Sequence, residues 1–382
     1  MSAAARQSLG SGLGRMREAF PWMKMPFIIS APMRVMSGPQ LAVAVSQAGG
    51  LGFIGPGAKP EDTAKDLAEA RELLSRAPPL PTRQQTPSAP ASALPPVLPV
   101  GVGFQLWNGD VDAAVSAVEQ YRPCAAWLFA PRLGQQEIDE WAVRLRFASP
   151  GIQIWHQIGT VTEALECARS SVTGENDAMR VDVLVVQGAE AGGHGRAEDG
   201  LGIAALLPEV QDAIRSIPRS SELSLIAAGG IADARGVAAA LALGAAGVAM
   251  GTRFLASTEA RIAQGYRNEV VRASDGAHST TRTILYNRLR GTMGWPPQYS
   301  PRGIVNRSWH DERAGVPFDE LKRLHDEAVA SGDRGWGPNG RLATYAGAAV
   351  GLIHSVEDAG TLVEQMRTEA REILLGLGDL YR

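Results

Sequence analysis

Eight short runs of β-branched and apolar residues recur along the chain, at 27–30, 51–54, 100–105, 126–129, 152–156, 183–187, 223–228 and 247–250. Helix-patterned stretches lie between them, at 38–48, 110–121, 135–146, 161–169, 201–217 and 233–243. Strands that alternate with helices pair in parallel, because the chain needs a crossover to return to the same end of a sheet. Eight such units predict an α/β fold of the (β/α)8 TIM-barrel type, in preference to an open doubly wound sheet.

Two stretches depart from this rhythm. Residues 77–99 read APPLPTRQQTPSAPASALPPVLP, and proline at that density forbids a helix or a central strand, so a proline-rich insert on the surface is expected there. The region from about 265 to 340 is rich in Arg, Gly, Pro and Trp and shows no strand–helix period, which predicts a cap beside the barrel mouth, closed by helical pieces at 342–353 and 356–375. The expected organisation is a flexible tail over 1–22, a barrel over 23–262 with the insert inside it, and a cap with C-terminal helices over 263–382. Gly10-Ser11-Gly12-Leu13-Gly14 superficially resembles a dinucleotide loop, but no strand precedes it, and it reads as part of the tail.

Composition narrows the functional classes. Of the 382 residues 45% are hydrophobic and 20% charged, the ordinary range of a globular protein, and 37 basic against 40 acidic side chains leave a net charge of −3. That balance argues against a nucleic-acid partner or an anionic membrane surface. The apolar run between Arg34 and Lys59 carries Pro39, Pro56 and several glycines, and the run between Arg235 and Arg253 is mostly Ala and Gly, so neither reads as a membrane span. The 2 cysteines, Cys124 and Cys167, lack metal-ligand spacing and argue against a disulfide scaffold. A cytoplasmic location follows as the expectation, with Arg6, Arg15 and Arg17 lending the N-terminus a faint organelle-targeting character. Nothing in the chain bears on oligomeric state.

In a barrel of this kind the chemistry sits at the C-terminal ends of the strands. The sixth strand runs into Gln187-Gly188-Ala189-Glu190-Ala191-Gly192-Gly193-His194-Gly195-Arg196, a glycine-crowded loop with one imidazole. Glycines let backbone approach a flat ligand, and a histidine among them can act near neutral pH. The seventh strand is followed by Ala228-Gly229-Gly230-Ile231 and a helix start near Asp233, the eighth by Met250-Gly251-Thr252-Arg253-Phe254. Backbone N–H groups at such glycines, backed by a helix N-terminus, suit a phosphate monoester. Ala31-Pro32-Met33-Arg34 after the first strand places small and soft groups where a ring system could lie. Gln105, His156, Gln157 and Gln187 at strand ends supply donors and acceptors for a pyrimidine-like edge. There is no Gly-x-Ser-x-Gly elbow, Walker loop or histidine pair at metal spacing.

Taken in order, Ala31-Pro32-Met33, Ser46-Gln47-Ala48-Gly49-Gly50-Leu51-Gly52, Glu190-Ala191-Gly192-Gly193-His194-Gly195, Ala228-Gly229-Gly230-Ile231 and Met250-Gly251-Thr252-Arg253-Phe254 resemble the nitronate monooxygenase family, FMN-dependent TIM barrels formerly called 2-nitropropane dioxygenases. The resemblance runs from about Pro26 to Glu259, and its Glu-Ala-Gly-Gly-His segment is the most specific part. It implies FMN as cofactor, with the phosphate at Gly229, Gly230, Gly251 and Thr252, Met33 and Gly192 beside the flavin, and His194 as the catalytic histidine; no metal is implied. The chain has Gln157 where many relatives carry lysine and Gln187 where some carry an acid, which changes the electrostatics offered to a reduced flavin. The implied reaction is oxidation of an alkyl nitronate, such as propionate 3-nitronate, by O2 to a carbonyl compound and nitrite. His194 would serve either as base toward a neutral nitro compound or as hydrogen-bond donor to the nitronate. An NAD(P)H-dependent reductase of quinones or enoyl thioesters and a non-catalytic flavin-binding protein are the alternatives. An inosine-monophosphate dehydrogenase is excluded, since neither cysteine lies in a glycine-rich loop after the sixth strand.

Overall fold

The computed structural model describes residues 12–82, 96–173 and 177–380. Eight parallel strands close into a barrel: β1 (Phe27–Ser30), β2 (Leu51–Ile54), β3 (Leu98–Gln105), β4 (Pro123–Phe129), β5 (Gln153–Ile158), β6 (Val183–Gln187), β8 (Ser224–Ala228) and β9 (Gly247–Met250). Closure is explicit in the register of the last strand on the first, Phe27 to Ser30 opposite Gly247 to Met250, and it rules out the open sheet. The missing number, β7 (Gly193–Arg196), belongs to a separate antiparallel sheet with β10 (Thr280–Arg282) and β11 (Tyr299–Ile304), in the order β10-β11-β7. The fold is therefore the (β/α)8 TIM barrel expected.

Side-chain alternation explains why these runs are strands of a barrel. Ile28, Leu128, Ile154, Leu184 and Val248 pack outward on the helices, while Phe27, Ile29, Phe53, Trp127, Trp155, Val185 and Ile226 fill the interior. Gly101 is small because Phe53 occupies its side: a Cβ there would lie 2.3 Å from the Phe53 ring. Along β5 and β6 the inward rows end in Gln157 and Gln187, so the apolar interior turns polar at the mouth. The two phase-shifted histidine and glutamine neighbours of β5 thus separate: His156 shares the outward phase of Ile154 and Ile158 and does not line the mouth. Its burial holds it neutral, with the pKa pushed down to about 3.

Several expectations need correction. The segment read as a tail through residue 22 is, from residue 12, a helix over 12–19 and a turn. Met16, Phe20 and Trp22 are buried, and Phe20 makes edge contacts with Trp22 and Trp155, so this segment seals the end of the barrel opposite the mouth. Residues 1–11 lie outside the described residues, as do residues 83–95 of the proline-rich insert. The insert ends earlier than expected, since Pro99 is within β3; the ladder is irregular between Leu98 and Gly101, where a residue without an N–H is tolerated. The cap is not without period: it carries β10 and β11 and the helices Gln264–Arg272, Leu285–Arg290, Arg307–Arg313 and Phe318–Ala330. Only Ala348–Leu352 of the piece expected at 342–353 is helical, as a 3-10 turn. The last helix, Ala359–Leu380, does not cover the mouth; it packs against the helices Pro39–Gln47 and Ala234–Ala242 and fills the outer ring, burying Leu362, Val363 and Met366. Among the described residues no helix is long and apolar enough to cross a membrane.

Candidate active site

A cavity of about 400 Å³ opens at the C-terminal ends of the strands, within the range of cofactor and small-molecule sites. The strand ends contribute Gln105, Gln157, Gln187 and Trp127 to its lining, the loops after the first and last barrel strands Ala31, Pro32, Met33, Gly251 and Thr252, the end of β8 Ala228, Gly229 and Gly230, and the segment after β6 Gly192 and His194. Thirteen of the residues singled out for cofactor or catalysis in the sequence border this one space, and His156 does not. The segment Ser46 to Gly52 does not: Ser46 Oγ accepts from Gly52 N at 3.1 Å, and a Cβ on Gly52 would lie 2.0 Å from the Ala42 carbonyl oxygen, so that motif joins a helix to β2.

The glycines of the wall differ in kind. Gly229 and Gly230 have φ of 90° and 72°, the left-handed region that favours glycine. Gly251 has an ordinary φ of −100°, and a Cβ there would meet only Met33 Sδ at 3.5 Å, Met33 Cγ at 3.9 Å and Ala31 Cβ at 4.0 Å, all groups bordering the cavity. Thr252 Oγ1 accepts from Gly347 N at 3.0 Å, which leaves its hydroxyl hydrogen to donate. Gly192 is small for another reason than a flat ligand: a Cβ would lie 2.5 Å from backbone atoms of Ala346 and Gly347. The helix start near Asp233 is not a free anion seat. Asp233 caps it, its carboxylate accepting from Arg235 N at 3.0 Å and Gly236 N at 3.1 Å, so of the groups expected to meet an anion here only the glycine loops and Thr252 remain.

The floor amides are oriented by the chain itself. Trp127 Nε1 donates to Gln157 Oε1 at 2.9 Å, which turns the Gln157 NH2 group away from the indole. Gln187 Nε2 lies 3.5 Å from the His194 carbonyl oxygen.

His194 sits on β7, opposite Pro301 of β11, and the cap surrounds it. Its ring stacks on Trp295 with centroids 3.5 Å apart and planes 5° from parallel. Nε2 lies 3.0 Å from Asn287 Nδ2, and Asn287 Oδ1 accepts from the Tyr345 hydroxyl at 3.2 Å. Burial pushes the His194 pKa down to about 3, and the nearby Arg282 and Arg290 guanidiniums push the same way. Arg282 in turn holds the loop before His194, donating to the carbonyls of Ala189 at 3.0 Å and Ala191 at 3.2 Å. Arg34 and Arg290 are the charged side chains bordering the cavity, and no Asp or Glu borders it among the described residues.

Asn287, Arg290, Trp295, Tyr345 and Gly347 were not singled out in the sequence. The density of Arg and Trp in the aperiodic region was their only local sign. The β7–β11 pairing that brings them to His194 joins segments about a hundred residues apart and leaves no periodic signature.

A family model for nitronate monooxygenase matches residues 20–84 and 142–292. The chain is 57% identical to the nitronate monooxygenase npaC of Metarhizium robertsii over 374 residues, 98% of each chain. It belongs to the nitronate monooxygenase family. A nitronate monooxygenase of Neurospora crassa is 34% identical over 385 residues, 97% of this chain and 96% of that one. Among solved structures, nitroalkane oxidase from Streptomyces ansochromogenes superposes with a TM-score of 0.66 at 23% identity, covering 95% of this chain and 99% of that one, and so shares the fold. The family match passes over residues 85–141, which hold β3 and β4 with Gln105 and Trp127.

Proposed function

We propose that the chain oxidises alkyl nitronates, propionate 3-nitronate among them, with O2 to a carbonyl compound and nitrite, on FMN held at the barrel mouth. Membership of the family makes it an oxidoreductase, and the family's enzymes carry a flavin. The observation that carries the reading is the charge of the cavity: two guanidiniums, a neutral imidazole and, among the described residues, no carboxylate border it, which suits two anions, a cofactor phosphate and a nitronate.

The residues present fit FMN rather than a dinucleotide. Gly229, Gly230, Gly251 and the Thr252 hydroxyl supply one compact cradle for one phosphate monoester, and a Cβ at Gly251 would fit there in ordinary contact with Met33 at the edge of the cavity. Gln105, Gln157 and Gln187 offer amide donors and acceptors to a pyrimidine edge, with the Gln157 NH2 fixed outward by Trp127. Bound flavin would supply the electron-accepting ring and its reactivity toward O2. The chain's own part is to hold and shield: Trp295, Tyr345 and Arg290 of the cap border the space beside His194, and Arg290, which has no carboxylate partner among the described residues, meets an incoming anion.

The test mixes the flavin-loaded protein anaerobically with propionate 3-nitronate, and separately with NADH and NADPH, while following flavin absorbance. Bleaching by the nitronate, with oxygen uptake and nitrite release in air, is expected. Rapid bleaching by NAD(P)H with no response to several nitronates would replace the reading with a reductase.

A further inference from the structure

We infer that Asn287 and Tyr345 are positioning residues that hold His194 in the neutral tautomer with its proton on Nδ1, so that it meets a nitronate as a hydrogen-bond donor and is not a base toward neutral nitroalkanes. The inference rests on the nitronate reading above for its substrate, and on the hydrogen-bond network for its substance.

The network has a direction. Among the described residues the Tyr345 hydroxyl hydrogen finds its acceptor in Asn287 Oδ1, at 3.2 Å. That bond turns the carboxamide so that its NH2 faces His194 Nε2 at 3.0 Å. An NH2 group has only hydrogens to offer, so Nε2 must present its lone pair. A neutral imidazole with the lone pair on Nε2 carries its proton on Nδ1. Nδ1 is not among the sealed, unpartnered side-chain atoms, whereas Nδ1 of His156 is; with Nε2 engaged, Nδ1 is the nitrogen left to the cavity.

The surroundings oppose the other protonation states. Arg290 approaches from the helix that carries Asn287 and Arg282 from β10, while Trp295 and Tyr345 contribute aromatic surface, so an imidazolium would be a third cation with no carboxylate facing it among the described residues. It would also set N–H against the Asn287 NH2. The reversed carboxamide would move the proton to Nε2 and free Nδ1 as a base, but the Tyr345 hydroxyl hydrogen would then lose its acceptor on Asn287. A nitronate is already ionised at carbon and needs no proton removed, only donors for its oxygens. A neutral nitroalkane needs a base, and in this arrangement His194 has no free lone pair to offer.

The experiment is long-range 1H–15N correlation on flavin-loaded protein labelled with 15N-histidine, with His194 assigned by its disappearance in H194N. Around neutral pH the expected pattern is a pyrrole-type Nδ1 and a pyridine-type Nε2. A protonated Nε2, alone or together with Nδ1, overturns the proposal. N287D supplies a carboxylate that accepts from Nε2–H, and Y345F leaves the carboxamide free to turn. For N287D the proton should move to Nε2, and kcat/KM for nitroethane relative to its nitronate should rise by about a hundredfold, the low end of what a positioned base contributes. Y345F should show both tautomers. Unchanged nitrogen patterns in both variants would also overturn the assignment. The nitrogen pattern does not depend on which nitronate is turned over, so a wrong substrate reading and a wrong tautomer fail separately.

Discussion

Gly251 is where the proposed seat of the cofactor can be separated from the stability of the fold. Its φ of −100° and ψ of −68° are open to any L-residue, and an added Cβ finds no backbone within 4 Å, only Met33 and Ala31 side-chain atoms at 3.5 to 4.0 Å. Gly251→Ala should therefore leave the flavin-free protein as stable as before or raise its stability by about 0.4–1 kcal/mol through the unfolded chain. The same methyl stands where the phosphate would approach. Inserting it into a packed contact costs about 1–3 kcal/mol, which is about a 5- to 150-fold rise in the flavin Kd. Gly251→Leu should yield mostly apoprotein. Gly230→Ala is the contrast: at φ of 72°, with a Cβ 3.1 Å from that of Glu190, it should lower the stability of the flavin-free protein as well. The assays are thermal unfolding of apoprotein and fluorescence titration with FMN. Stoichiometric FMN on Gly251→Leu would refute the cradle, and a destabilised Gly251→Ala apoprotein would refute the claim that the glycine serves the ligand rather than the chain.

His194→Asn should keep its flavin while turnover falls by about a hundredfold or more, measured as oxygen uptake and nitrite release; full turnover would remove this histidine from the chemistry. Arg290→Gln should raise KM for propionate 3-nitronate by about tenfold with kcat little changed, and should affect a nitronate without a carboxylate less; equal effects on both would show that Arg290 does not read the second charge. His156 and His194, each with a folded pKa of about 3 against an unfolded 6.5, bind protons only in the unfolded chain between those values. Their stabilising contribution is full above pH 6.5 and is lost as pH falls toward 3, about 2 kcal/mol each by pH 5. His156→Leu should remove about half of that pH-dependent loss in denaturant unfolding, and a slope unchanged by the substitution would contradict its burial as the neutral form.

What could be read along the chain was whatever repeats along it. Each barrel strand writes its own inside and outside faces into a period of two, so Phe27, Ile28 and Ile29 announce a strand without reference to any other segment. The glycine and glutamine positions at strand ends were legible for the same reason, because the barrel topology alone sends them to one mouth. The N-terminal helix had no such signal: what orders Met16, Phe20 and Trp22 is an aromatic surface built by Phe53 and Trp155, which exists only after closure. Asp233 misled in the opposite direction, since a residue that reads as the start of a helix also consumes the N–H groups that would have greeted a phosphate. The side chains around His194 follow the same logic as the buried helix. Asn287, Trp295 and Tyr345 come from three segments of the cap, and none touches a neighbour in sequence in the way that matters; the register that sets His194 opposite Pro301 brings them together. A histidine flagged by its glycines therefore marks the cavity, while in the proposed network the direction of its proton is decided by a hydroxyl 151 residues away.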